Sequence, residues 1–350
     1  SDKLETKNNI YFINKAELLF FSKKYEEAKS ILNEFCKKNK NDIGSHISLS
    51  LIHSNLGEFK NSYKLIEEAY KLNPSHNTLE LMHSMNLLKQ GNFKKGWKLY
   101  DRSLQIKDNY YSNIPFWKGE DLKKKTILIY EDQGVGDSIQ FSKLLFSLSK
   151  ICSDIRIEVR ESALTLFQKN ILNLKAFKKG SNLNSDCDYK ISFVSLNTFF
   201  YENKNKKEEV FFKIDEEIIL KWRKKINSKN LKVGLTWSGN IYGVNQPFRS
   251  IEVKKLDKIL SLDCEFICLQ NDIWESDKNY LNDSKINNLG DNNFLEIAAI
   301  IKNLDLVISV DTSILHLSSS LDKLTWGLFS FDQEWRWWAY NKPAFYKNLI

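Results

Sequence analysis

The sequence predicts an array of helical repeats followed by two parallel-sheet α/β lobes. Three observations predict it. The first 110 residues repeat at a step of 34. From residue 126, short apolar runs rich in β-branched residues alternate with helical stretches. The 350 residues, 42% hydrophobic and 27% charged, have the balance of a globular chain with room for two or three domains.

The repeat is read from aligned positions. Ala16, Ser50 and Ser84 coincide, as do Ala28, Ser62 and Gly96, and all six are small. Tyr25, Phe59 and Phe93 match as aromatics, and Leu32, Ile66 and Tyr100 as large apolar residues. Lys23, Gly57 and Gly91 fall where a turn must join two helices, and Pro74 falls where a helix must stop. Small residues at two fixed positions let paired helices approach closely, and large ones fill the groove against the next unit. In one helix Phe59, Tyr63, Ile66, Ala69 and Tyr70 recur with helical spacing. This pattern resembles the tetratricopeptide repeat, so residues 9–110 are expected to form three repeats of two antiparallel helices. Such arrays bind peptides or partner proteins. Three units need a packed neighbour, which the aromatic segment from Tyr110 to Trp117 is placed to supply.

In the first lobe, residues 126–130 (TILIY), 155–159 (IRIEV) and 189–193 (YKISF) read as strands, with helices over 138–151 and 164–171 and a solvated loop at 203–209. In the second, 233–237 (VGLTW), 266–269 (FICL), 306–310 (LVISV) and 324–329 (LTWGLF) read as strands, with helices over 251–260 and 294–303. Apolar strands alternating with helices imply parallel sheets covered on both faces. The expected domains are repeats at 1–110, a linker at 111–125, and Rossmann-like lobes at 126–228 and 229–350. Ligands of such sheets bind beyond the carboxyl ends of the strands.

Three strand ends carry chemistry. Gln133, Gly134 and Gly136 precede Asp137 and Ser138, which open a helix. The two glycines allow a tight turn, and Asp137 and Ser138 also suit a simple N-cap. Asp311, Thr312 and Ser313 open a helix directly after a buried strand, with His316 one turn on; free N–H groups there suit an anion, or the segment is a capped helix with a core histidine. Ser238-Gly239-Asn240 leads to Arg249, which either grips phosphate or lies on the surface. Trp335-Arg336-Trp337-Trp338 stacks a base or sugar, or closes a core, and packing takes the larger share.

The net charge of +8 is scattered, its longest clusters being 123–125 and 223–225, which argues against a nucleic-acid binder. The five cysteines form no C-x-x-C pair, so reduced thiols are expected rather than a metal site. No apolar run approaches the ~20 residues of a membrane span, and no secretory leader is visible; a cytoplasmic protein is expected.

QGVGDSIQF, GLTWSGN followed by FRSI, FICLQ, and LDLVISVDTSILHL together resemble GT-B glycosyltransferases of the ADP-heptose:lipopolysaccharide heptosyltransferase type (glycosyltransferase family 9). The nearest resemblance is to the subgroup with N-terminal tetratricopeptide repeats; protein O-GlcNAc transferase is a more distant analogue. The resemblance spans nearly all of residues 9–346. It implies a metal-independent, cofactor-free transfer of sugar from a nucleotide-sugar substrate, inverting at the sugar carbon. The acceptor would be a protein, peptide or glycan chosen by the repeats. Asp137 takes the place of the family's general base, with Gln133, Gly134 and Gly136 as the loop near the acceptor. Asp311, Thr312, Ser313 and His316 match the pyrophosphate site, where those enzymes carry glycine in place of Ser313. Ser238, Asn240 and Arg249 match the donor-phosphate segment, and Gln270 the base-side strand end. Relatives continue through another strand, whose start is expected at 346–350. The alternative is a non-catalytic scaffold in which the repeats bind a partner and the GT-B module is a relic.

Overall fold

The computed structural model describes residues 2–105, 111–181, 186–201, 210–239, 249–330, 335–337 and 345–350. It divides into two compact units, Ser1–Lys107 with Phe331–Lys342, and Asp108–Ser330 with Pro343–Ile350.

The first unit contains α1 (Asp2–Phe21), α2 (Tyr25–Lys38), α3 (Ile43–Asn55), α4 (Phe59–Leu72), α5 (Asn77–Lys89) and α6 (Phe93–Gln105), paired as three helical hairpins. The aligned small residues sit where paired helices touch, and Ala16, Ala28, Ser50, Ser62 and Ser84 are all buried. In the second repeat the Ser50 and Ser62 hydroxyls share a 2.9 Å hydrogen bond, which satisfies both inside the contact. In the third, a Cβ on Gly96 would lie 2.7 Å from Leu88 Cδ2, so the backbones meet only because that side chain is missing. Lys23, Gly57 and Gly91 all adopt the left-handed conformation, with φ of 60°, 76° and 75°. The following N–H reaches back five residues each time, Glu58 to the His53 carbonyl and Asn92 to the Leu87 carbonyl, both at 2.8 Å. This is the Schellman closure that stops a helix. Trp335 packs on the last repeat, edge-on to Trp97 with centroids 4.8 Å apart, and 5.6 Å from Tyr100. It closes a core, the packing use of that aromatic cluster.

The second unit carries two parallel sheets. The first has strand order β3-β2-β1-β4, with β1 Thr126–Tyr130, β2 Asp154–Val159, β3 Lys175–Lys178 and β4 Tyr189–Ser192. The second has order β7-β6-β5-β8-β9, with β5 Leu231–Thr236, β6 Cys264–Cys268, β7 Ile286–Asn288, β8 Leu306–Val310 and β9 Thr325–Leu328. The central strands are buried, as their unbroken apolar runs require. The sequence pattern does not reveal β3 and β7, which are short, polar edge strands. Between the strands lie α7 (Val135–Phe141), α8 (Leu145–Leu148), α9 (Glu161–Gln168), α10 (Asn197–Phe200), α11 (Glu216–Lys225), α12 (Asp257–Leu260), α13 (Glu275–Asp283), α14 (Phe294–Lys302) and α15 (Ser313–Ser320). The helix expected over 138–151 is divided between α7, a 3₁₀ turn and α8. The stretch at 203–209 lies outside the described residues.

Residues 111–125 lie against the first sheet. Phe116 bridges to Lys190, and Trp117 packs 4.3 Å from Phe199. The described part of the aromatic segment, from Tyr111 to Trp117, thus serves this unit, and Trp335 is what covers the last repeat. At the other edge, residues 348–350 run alongside β9: Thr325 N–H donates to the Asn348 carbonyl and Ile350 N–H to the Thr325 carbonyl, both at 2.9 Å.

In each sheet the chain first builds outward on one side and then crosses to the other, so the order switches between β1 and β4 and between β5 and β8. A crevice forms at such a point, outside the carboxyl ends of the strands.

Candidate functional site

Both motif loops stand at switch points. The 131–138 turn leaves β1, and the 311–316 turn leaves β8. They also meet each other, since α7 packs along α15. A Cβ on Gly136 would come within 2.8 Å of His316 Cδ2 and 3.4 Å of Ser313 Cα. Gly136 is therefore glycine because another helix start occupies the space. His316 is buried, and its Nδ1 lies 3.1 Å from the Tyr346 hydroxyl.

The loop after β1 is held from below. Glu131 is buried and ion-paired with Arg160, whose Nη2 donates to the Gln133 carbonyl at 3.1 Å. Lys179 Nζ donates to the Glu131 carbonyl at 2.8 Å. Asp137 is half-buried and accepts the Gly134 N–H at 3.1 Å, so its carboxylate closes the first turn of α7. Arg160 and Lys179 escaped the sequence reading, because nothing in their local spacing marks them; Glu131 stands in the strand-end motif and Tyr346 at the start of the strand expected at 346–350, but neither was read as a site residue.

Next to Glu131, Glu158 on β2 accepts a hydrogen bond from the Tyr111 hydroxyl and is 1% exposed. Burial pushes its carboxyl up to about 7. A folded-state pKa above the unfolded one means stability that is complete below the ordinary carboxylate range and lost as pH rises through 7. Denaturant unfolding of the wild type is expected to lose about 3 kcal/mol between pH 4 and pH 8 through this group, and Glu158→Gln to flatten that slope.

On the second sheet, Ser238 is buried at the end of β5. Gln270, just past β6, accepts the Trp237 and Ser238 N–H groups at 2.9 and 3.2 Å through Oε1. Its Nε2 donates to Ser238 Oγ and to the Asp272 carbonyl at 2.9 and 3.1 Å. All the amide's capacity goes into joining the two strand ends. Gln270 thus positions the Ser238 turn. Arg249 Nη1 lies 3.7 Å from Asp311 Oδ2, which brings the basic residue downstream of β5 to the helix start after β8. Thr312 is the N-cap of α15, and its hydroxyl lies 3.1 Å from Ser309 Oγ. Asn240 lies outside the described residues. Asp311, Thr312, Ser313, His316 and Arg249 are therefore gathered at one helix start, with Gly136 and Asp137 on the helix facing it; Ser238 and Gln270 form a separate clamp at the ends of β5 and β6.

A partly accessible helix start beside an arginine can hold a diphosphate, and a carboxylate on the facing helix can take a proton. Residues 270–346 match the model of glycosyltransferase family 9 (heptosyltransferase). Residues 43–76 match a tetratricopeptide-repeat model. The family 9 segment takes in Gln270 and the whole 311–316 turn, and leaves the 131–138 loop outside it. No curated protein matches the chain. Among solved structures, it is similar to a family 9 glycosyltransferase of Veillonella parvula, at 13% identity, TM-score 0.47, covering 62% of this chain and 82% of that one. It is likewise similar to the E. coli ADP-heptose lps heptosyltransferase II, at 10% identity, TM-score 0.47, covering 64% and 89%. A Thermobaculum terrenum O-GlcNAc transferase mutant aligns at 8% identity, TM-score 0.28, covering 91% and 82%. No described helix is long and apolar enough to cross a membrane.

Proposed function

We propose that this chain is a metal-independent, inverting glycosyltransferase that moves a sugar from a nucleotide-sugar donor to a protein, peptide or glycan acceptor chosen by its repeats. The observation that carries the reading is the meeting of two strand-end motifs, with Gly136 pressed against Ser313 and His316. The donor diphosphate sits at the start of α15, on the free N–H groups of its first turn and beside Arg249. The Asp311 carboxylate holds that guanidinium at the helix start. Asp137 on α7 removes the proton of the acceptor hydroxyl. The oxygen attacks the anomeric carbon opposite the diphosphate, and the departing charge is met by the helix dipole and Arg249. Thr312 and Ser313 supply hydroxyl donors at the same place, and Ser238, held by Gln270 in its own clamp at the end of β5, is the further donor-phosphate residue of this reading.

A thermal-shift series with UDP-, GDP-, ADP- and dTDP-sugars tests the donor site. One nucleotide class at a hundredfold excess over its Kd is expected to stabilise the fold by about 2.7 kcal/mol, and Arg249→Met to abolish the shift. No shift with any of them would leave the scaffold reading in its place.

A further inference from the structure

The Tyr346 hydroxyl lies 3.1 Å from Nδ1 of His316, and sugar transfer as drawn above makes no use of it. The tyrosine is held from both sides along the chain. Phe345, just before it, packs edge-on to Phe141 with centroids 5.7 Å apart, and the Phe345 carbonyl accepts from Lys143 Nζ at 2.8 Å. Just after it, the Asn348 carbonyl accepts the Thr325 N–H of β9 at 2.9 Å. Tyr346 and His316 are both buried. A hydroxyl fixed against one ring nitrogen decides which of the two nitrogens carries the proton.

Two observations give the direction of that hydrogen bond. The first is a cation. The Lys143 ammonium stands 5.6 Å from the centroid of the Tyr346 ring. A cation over the ring draws electron density from it, so the phenol becomes a stronger donor and a poorer acceptor. The second is the place of the other ring edge. His316 Nε2 lies 3.5 Å, and Cδ2 2.8 Å, from where a Cβ on Gly136 would stand. That edge faces the meeting of α7 and α15, where the sugar-transfer reading seats a diphosphate. An N–H there attracts the anion, whereas a bare nitrogen sets a lone pair against it. Two other histidines show both arrangements. His46 Nδ1 lies 2.7 Å from the Asp42 carbonyl, which can only accept, so its proton is on Nδ1. His76 Nδ1 accepts the Leu79 N–H at 3.4 Å, so its proton is on Nε2.

We infer that Tyr346 is a positioning residue: its hydroxyl donates to His316 Nδ1 and holds the neutral imidazole with its proton on Nε2, a fixed N–H aimed at the donor diphosphate. The diphosphate rests on the sugar-transfer reading; the placement of the proton does not. Long-range proton–nitrogen correlation spectra of the full chain, carrying isotope-labelled histidine and recorded where imidazole is neutral, read each ring directly. The His316 signals are identified by their loss in His316→Gln or, if that variant unfolds, by cross-relaxation with the Tyr346 ring. His316 is expected to show a pyridine-like Nδ1 and a pyrrole-like Nε2, the pattern of His76 and the reverse of His46. Tyr346→Phe keeps the ring beside Lys143 and is expected to draw both His316 signals to intermediate values, as the two tautomers mix, while the other four histidines stay unchanged. Loss of packing alone would not move the proton. For any nucleotide sugar that shifts the wild-type melting temperature, Tyr346→Phe is expected to weaken binding severalfold. A pyrrole-like Nδ1 on His316, unmoved signals in Tyr346→Phe, or unmoved affinity in that variant would each overturn the assignment. If the ring pattern holds and no nucleotide sugar binds, the sugar-transfer reading falls and the placement of the proton by Tyr346 stands.

Discussion

Asp137→Asn is expected to lower sugar turnover by about 10²–10⁴-fold while donor affinity stays at the wild-type value. The substitution separates two roles of one side chain. An asparagine oxygen can still accept the Gly134 N–H that Asp137 accepts at 3.1 Å, so the first turn of α7 stays closed. The same amide cannot take a proton from an acceptor hydroxyl. Asp137→Ala removes both functions and is expected to cost a further ~1 kcal/mol of stability through the lost cap. Product formation measured against donor binding by thermal shift tells the two apart. An asparagine variant that turns over normally would reduce Asp137 to a helix cap.

Gly136→Ala is expected to cost about 1–3 kcal/mol in denaturant unfolding, and to lower turnover more than that loss alone explains. The added Cβ would stand 2.8 Å from His316 Cδ2, and the ring has little freedom to yield. It is buried and its Nδ1 faces the Tyr346 hydroxyl, while the added Cβ would also stand 3.4 Å from the backbone of Ser313. The strain must therefore push the two helix starts apart, and a displacement near 1 Å at a reacting centre is worth ~10²-fold in rate. His316→Ala in the same chain makes room for the methyl group and is expected to restore much of the stability. Wild-type stability in the single variant would mean that the two helices do not meet as described.

Several elements of this fold were legible in the sequence for a local reason. A helix or a buried strand is encoded in the spacing of its own apolar residues. The registers Ala16/Ser50/Ser84 and Ala28/Ser62/Gly96 therefore exposed the paired helices, and TILIY and LVISV exposed two central strands. Short polar edge strands such as β3 and β7 bury too little to leave that pattern. The strand-end motifs were legible because small and hydroxyl residues open helices. Gln270 shows the limit of such reading. Its place at a strand end was visible, but its complete use by Trp237, Ser238 and Asp272 was not.

The sequence by itself determined that helical repeats come first and parallel sheets follow, and which turns leave those sheets with chemistry on them, because each of these is written in neighbouring residues. Tertiary structure alone decided that Gly136 meets His316, that Tyr346 reaches that histidine from 30 residues away, that Arg249 stands at Asp311, and that Trp335 covers Trp97. Those are pairings between distant segments, and each partner's local pattern is satisfied equally well without the other. Only the packing of whole helices and sheets, which buries every apolar face at once, selects which distant surfaces touch.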